Sequence, residues 1–204
     1  MAEPRPSEAD LDRAAQQWQA EAEDGVPPAM NALGALLAQR GDLDGALHWL
    51  DRAVAAEAPG AQFNLARVLC LRGELEQAEQ AYRHGAERGD SRAMNALGDL
   101  LHEQGRPGEA EAAWRWAADC GSADAQYRLG YAAYLNGDLG GADRWWARAA
   151  EAGLPSAVNA LGMLHEDRGE RGQAITRYEA AAAAGSELAA DNLRRLRAAK
   201  PPNL

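Results

Sequence analysis

The histidines, cysteines and serines of this chain, from which zinc sites and activated nucleophiles are commonly built, are few. They are the four histidines at 48, 84, 102 and 165, the two cysteines at 70 and 120, and five serines. No two histidines have the His-x-x-x-His spacing that sets a pair of imidazoles on one helix face. The cysteines stand 50 positions apart, with no neighbours at zinc-ligand spacing. No serine occupies a G-x-S-x-G turn that would lift a nucleophile into the open. The glycines form no phosphate-cradling loop. No catalytic, metal or cofactor site is expected. His165 reads as a half-buried packing residue, and His102 as a surface contact beside Asp99 and Glu103.

Recognition chemistry is better represented. Tyr127, Tyr131 and Tyr134 fall at i, i+4 and i+7, one stripe of a helix if a helix is there. Tyrosine brings rigid apolar area with a polar tip, which suits a binding platform. The same three rings could equally fill an inner packing surface. Trp49, Trp116 and Trp145 are further candidates for the surface, with contact to a neighbouring helix the simpler account of them.

The elements that must position these residues are helices. The chain of 204 residues holds one Ile, four Val and one Thr, too few β-branched side chains to build sheets. Alanine, the best helix former, makes up roughly a quarter of it. The chain also repeats with a period of 32 residues. Ala recurs at 29, 61, 93, 125, 157 and 189, and Leu four later at 33, 65, 97, 129, 161 and 193. Gly stands at 41, 73, 105, 137 and 169, and again at 25, 89, 121, 153 and 185, with Glu57 breaking the second series. Between them lie an Ala column at 14, 46, 78, 110, 142 and 174 and a large-residue column at 18, 50, 82, 114, 146 and 178.

Each unit reads as two antiparallel helices, A then B, each stopped by a glycine that accepts the left-handed conformation. Asp42, Asp138 and Ser186 stand where N-caps are needed. The small residue after each Leu (Gly34, Ala66, Gly98, Gly130, Gly162) lets the partner helix approach. In the last unit that position is Arg194, as befits a terminal helix with a polar outer face. Leu11 and Trp18 place the first segment in the B-helix register. The expected organisation is one helical-repeat domain over 7–198, with a lone helix over 7–25, five helix pairs over 27–185 and a capping helix over 187–198. The Pro-rich segments 1–6 and 199–204 are expected to be disordered. The fold class expected is all-α, a right-handed α-solenoid of about twelve helices.

The columns resemble the tetratricopeptide repeat. The run Ala149-Ala150-Glu-Ala-Gly153-Leu-Pro-Ser-Ala157-Val-Asn-Ala-Leu161-Gly162 is more similar to its Sel-like branch, as is Trp145-Trp146. The A–B loop is shorter here than in Sel-like units, and the turn between units is shorter than in tetratricopeptide units. The resemblance implies a scaffold or adaptor that binds proteins or peptides, and seldom an enzyme.

At about 100° per residue, positions two before, two after and five after each Leu point away from the core. In a solenoid they line the concave face. The expected groove comprises Phe63, Arg67, Asn95, Asp99, His102, Tyr127, Tyr131, Tyr134, Asn159, Met163 and Glu166. Asp124 and Asp167 add to its acidic flanks. The partner expected is a protein or peptide segment, apolar or aromatic with some positive charge.

Charge narrows the field further. A net charge of −10 opposes nucleic-acid binding through phosphate neutralisation. No 18-residue apolar run offers a membrane span, and Met1-Ala-Glu-Pro-Arg-Pro has no apolar signal core. The two cysteines fit a reducing compartment. A cytoplasmic, bacterial protein without a cofactor is expected, monomeric or weakly self-associating. The alternatives are a self-associating structural protein, suggested by an acidic start and a basic end, or an accessory subunit of an enzyme complex.

Overall fold

The computed structural model describes residues 8–199, and the side chains from residue 12 onward. Of the segments expected to be disordered, 1–6 and 199–204, all but Ala199 lie outside the described residues, as do Ser7 and the Leu11 side chain. Among the described residues there are twelve helices and no strand. They are α1 Glu8–Glu23, α2 Pro27–Gln39, α3 Leu43–Ala55, α4 Ala61–Arg72, α5 Leu75–Glu87 and α6 Ser91–Glu103. Then follow α7 Pro107–Asp119, α8 Ala123–Leu135, α9 Leu139–Glu151, α10 Pro155–Asp167, α11 Arg171–Ala183 and α12 Glu187–Ala198. The A helices are α2, α4, α6, α8, α10 and α12. None of the twelve is long and apolar enough to cross a membrane.

Local chemistry sets the boundaries. The Asp42 and Asp138 carboxylates accept from the Gly45 and Gly141 amides, and the Ser122 and Ser186 hydroxyls from the Ala125 and Ala189 amides. Each bond satisfies one of the orphan donors of a first helical turn. The stop glycines of both series have φ between 73° and 92°. Glu57, the one departure from the second series, is forced to φ 55°. At the other end of the chain, Arg171 donates to the Leu196 and Ala199 carbonyls and closes α12.

The contacts divide the chain into two compact units, residues 1–100 and 101–204, with the division inside α6. In the N-terminal unit each of α1 to α4 packs on the next helix and α4 packs on α5, while α2 also meets α4. Exposed ion pairs Arg40–Asp12 and Arg72–Asp44 brace these helices. In the C-terminal unit each of α7 to α11 packs on the next helix.

Small residues make this packing close. Ala46, Ala78, Ala110, Ala142 and Ala174 are all fully buried, whereas Ala14, in the first helix of the series, is half-buried. The glycines after the Leu column act as sockets for the large-residue column. A β-carbon on Gly34 would fall 2.6 Å from Leu50 Cγ, and one on Gly162 2.6 Å from Tyr178 Cδ1. The large side chains Leu50, Trp146 and Tyr178 therefore sit directly against backbone and are among the most deeply buried. Interiors packed at this density tolerate added atoms poorly.

Candidate binding faces on the A helices

The residues expected to form a binding face fall in both units. Phe63, Arg67, Asn95 and Asp99 belong to the N-terminal unit. His102, Tyr127, Tyr131, Tyr134, Asn159, Met163 and Glu166 belong to the C-terminal unit. Each group has its own setting.

In the C-terminal unit the three tyrosines of α8 take different places. Tyr127 and Tyr134 are half-buried and lean on the Trp146 indole, with ring centroids 6.4 and 5.6 Å from it. Trp146, 2% exposed, donates from Nε1 to the Tyr127 carbonyl. The Tyr134 hydroxyl donates to Asp167 Oδ2 of α10 at 2.5 Å. That bond to a carboxylate raises the Tyr134 hydroxyl above its ordinary pKa. Tyr131, on the turn between them, stays 50% exposed. Its counterpart 32 residues on, Met163 of α10, is 38% exposed. The accessible apolar part of the stripe is therefore Tyr131, Met163 and Leu135 at the end of α8, also exposed.

The polar members of this face are largely engaged. Glu166 receives both Arg195 terminal nitrogens at 2.7 Å and the Tyr178 hydroxyl at 3.0 Å. The guanidinium holds Glu166 below the usual carboxylate range, against the opposite pull of partial burial. Tyr178 is pushed well up, first by burial and then by Glu166. Asn159, expected on the open face, is only 4% exposed, with its Oδ1 accepting from Asn192 at 3.1 Å. Asp167 and Asp124 are exposed. His102 is exposed and lies 5.5 Å from the Trp114 ring. His165 is buried, and is more than a packing residue: its Nδ1 lies 2.6 Å from Glu170 Oε2.

In the N-terminal unit, Phe63 is half-buried against Tyr82, and the Arg92 guanidinium lies 4.8 Å over its ring. Arg67 is exposed at 5.8 Å from the same ring. Asp99 and Asn95 are half-buried, and Asn95 Oδ1 has no hydrogen-bond partner. Asn31 accepts from Asn64 at 2.8 Å and donates to the Pro59 carbonyl at 3.1 Å. Of the tryptophans, Trp49 is half-buried, joins the core near α2 and carries Arg52 on its ring. Trp145 is half-buried under Arg148, and Trp116 is exposed.

Two features escaped the sequence reading. The paired asparagines Asn31–Asn64 and Asn159–Asn192 are 33 residues apart, one more than the period, so no column aligned on 32 contains both partners. The A-helix stripe also alternates with a double period. Asn stands at 31, 95 and 159, while α4 and α8 carry Phe63, Arg67, Leu71 and Tyr127, Tyr131, Leu135. A search at 64 residues would have shown it.

Comparison with known proteins agrees with this architecture. Tetratricopeptide repeat models match residues 29–56, and 59–84 with 91–116. Those three segments are tetratricopeptide repeats. Among solved structures, it resembles a Sel1 repeat protein from Oxalobacter formigenes at 30% identity and a TM-score of 0.73, over 92% of this chain and 60% of that one. It also resembles c5321, a protective antigen of uropathogenic Escherichia coli strains that displays an SLR fold. There the identity is 26% and the TM-score 0.71, over 89% of this chain and 43% of that one. The repeat chain thus spans less than two thirds of the length of either protein. YrrB, a tetratricopeptide repeat protein with an unusual peptide-binding site, shares the fold at 17% identity and a TM-score of 0.58, over 89% of this chain and 99% of that one. No curated protein sequence matches the chain. The α-solenoid class expected from the 32-residue repeat is the class of these structures.

Proposed function

We propose that the protein is a non-catalytic scaffold that binds a protein or peptide segment on the exposed A-helix face of its C-terminal unit. Repeat folds of this kind generally serve protein interaction. The observation that carries the reading is the exposure of Tyr131 and Met163 at equivalent positions of α8 and α10. Aromatic and methionine side chains left open to water at adjacent repeats are what a partner's apolar anchor needs. Tyr127 and Tyr134, held by Trp146 and Asp167, keep the platform stiff, which lowers the ordering cost of binding. Asp167 and Asp124 favour a partner with some positive charge beside its apolar residues. A cytoplasmic setting belongs to the same reading. It rests on Cys70 and Cys120, which form no disulfide.

The self-associating alternative rested on an acidic start and a basic end. Among the described residues of the basic end, Arg194, Arg195 and Arg197 pair with Asp191, Glu166 and Glu179. The adaptor reading is therefore preferred. Its test is a pull-down from the native host with the full chain. A partner held by the wild type should be released by Tyr131→Ala and retained by Leu188→Ala, a change at an exposed leucine elsewhere. Release by both variants, or by neither, would overturn the assignment of this face.

A further inference from the structure

The outer side of α7 differs from that of the neighbouring B helices. Ala110, Trp114 and Ala117 line its buried side. The opposite side carries Ala112, Arg115, Trp116 and Asp119, all exposed. At the positions of Ala112 and Trp116, α3 has His48 and Arg52, α5 has Gln80 and His84, and α9 has Arg144 and Arg148. Of the six tryptophans Trp116 alone is exposed, at 42%. Trp49 and Trp145 are each covered by an arginine of their own helix, Arg52 and Arg148. Trp116 has neither a ring nor a cation against it among the described residues. An indole left open in this way is a large apolar anchor with nothing on it.

The charges beside Trp116 select what covers it. Arg115 and Asp119 stand four residues apart on one edge of the exposed side. Arg115 is steadied by Glu111 at 2.6 Å, and Asp119 makes no ion pair among the described residues. A helix edge with a cation and an anion one turn apart is complementary to an antiparallel copy of itself. A two-fold axis at the level of position 117 sets Arg115 opposite the second copy's Asp119, and Asp119 opposite the second copy's Arg115. The same axis brings the two Trp116 rings within a turn of each other, where offset stacking is favoured. Ala112 is small enough to let the helices approach. We propose that the outer side of α7 joins two copies of this chain in a symmetric dimer, with the Trp116 rings at its centre and reciprocal Arg115–Asp119 pairs along one edge. The contact uses the same patch on both copies and so closes at two, unlike a head-to-tail chain. One helix per copy buries little surface, which makes the association weak and reversible. It shares no residue with the Tyr131 and Met163 face, so a dimer presents that face twice and gains avidity for a partner with two segments. The inference goes beyond the binding reading and does not depend on it.

The test is sedimentation equilibrium of the full chain over roughly three decades of concentration. A reductant keeps Cys70 and Cys120 as thiols, so only non-covalent association is read. Monomer should pass to dimer and no further. Trp116→Ala should weaken dimerisation roughly tenfold or more, with the helical circular dichroism and thermal melt of the wild type. Arg115→Asp and Asp119→Arg should each weaken it, because like charges then face one another, and the double exchange should restore it. Should Trp116→Ala melt early, the charge exchange decides alone. Monomer at every concentration, growth beyond the dimer, a dimer indifferent to a folded Trp116→Ala, or a double exchange that fails to restore it would each overturn the proposal. Loss of the dimer in Tyr131→Ala would move the contact to the A-helix face and overturn it too. Failure of the binding reading would instead show as an unchanged pull-down by Tyr131→Ala, with the dimer equilibrium still sensitive to position 116.

Discussion

The Trp146 indole lies directly against the backbone of Gly130: a β-carbon on Gly130 would fall 2.4 Å from Trp146 Cδ1 and 2.5 Å from Nε1. Neither helix can yield cheaply, because Trp146 is also fixed by its bond to the Tyr127 carbonyl. Gly130→Leu should therefore destabilise the protein by roughly 2–4 kcal/mol, and Gly130→Ala by about 1–3 kcal/mol. Arg194→Leu, in the same repeat column but exposed on the last helix, should be nearly neutral. Denaturant melts of the three variants check this, and equal losses at positions 130 and 194 would refute the socket account.

Glu57 offers the opposite experiment. It holds a left-handed φ of 55° at a position where the other units have glycine. That conformation costs an L-residue roughly 1–2 kcal/mol, part of which glycine's greater chain entropy takes back. The Arg88 pair it would lose is long, 3.6 Å, and exposed, so it contributes little. Glu57→Gly should raise stability by about 0.5–1 kcal/mol in thermal or urea melts. A loss of stability would mean that the side chain does more than occupy a strained turn.

Acid should weaken the C-terminal end through Glu166. Its carboxylate is held below the ordinary range by Arg195, so the folded state binds this proton less readily than the unfolded chain. The stabilisation is complete above the ordinary glutamate value of about 4.3 and is lost as pH falls through the depressed one. Glu166→Gln should thus be less stable than wild type at pH 7, and the difference should close in more acidic solution. A gap of constant size down to pH ~3 would contradict the pairing.

How much of this was legible in the sequence depended on range. Asp42, Asp138 and Ser186 were readable as caps because each bond spans three residues. The bounds of α12, 187–198, followed from Gly185, Ser186 and the repeat register. The Gly130 socket was readable because socket and plug are both columns of one period. The fate of the tyrosines was not. Which ring of Tyr127, Tyr131 and Tyr134 stays open is decided by the orientation of Trp146 on α9 and by Asp167 on α10, 33 residues from Tyr134. Helical geometry placed all three on one side but could not say that two would find partners there. His165 shows the same limit, since its contact with Glu170 forms only across the α10–α11 turn.

The distinction among the tyrosines yields the sharpest test of the binding face. Tyr131 is half exposed and has no ring partner among the described residues, so Tyr131→Ala removes little folded-state contact. Leu129, two residues earlier, is buried in the repeat core, and Leu129→Ala should cost about 2–5 kcal/mol of stability. Tyr127→Ala should fall between them, because its half-buried ring leans on Trp146. Binding should rank differently. If Tyr131 anchors the partner, its truncation costs roughly 1–3 kcal/mol of affinity, while the fold melts almost as wild type. The remaining attraction to the acidic flank should weaken as salt rises. Calorimetric titration of the captured partner, alongside thermal melts of the same variants, separates the two scales. Should Tyr131→Ala melt as early as Leu129→Ala, or bind the partner as tightly as wild type, the stripe is packing and the C-terminal face is not the docking surface.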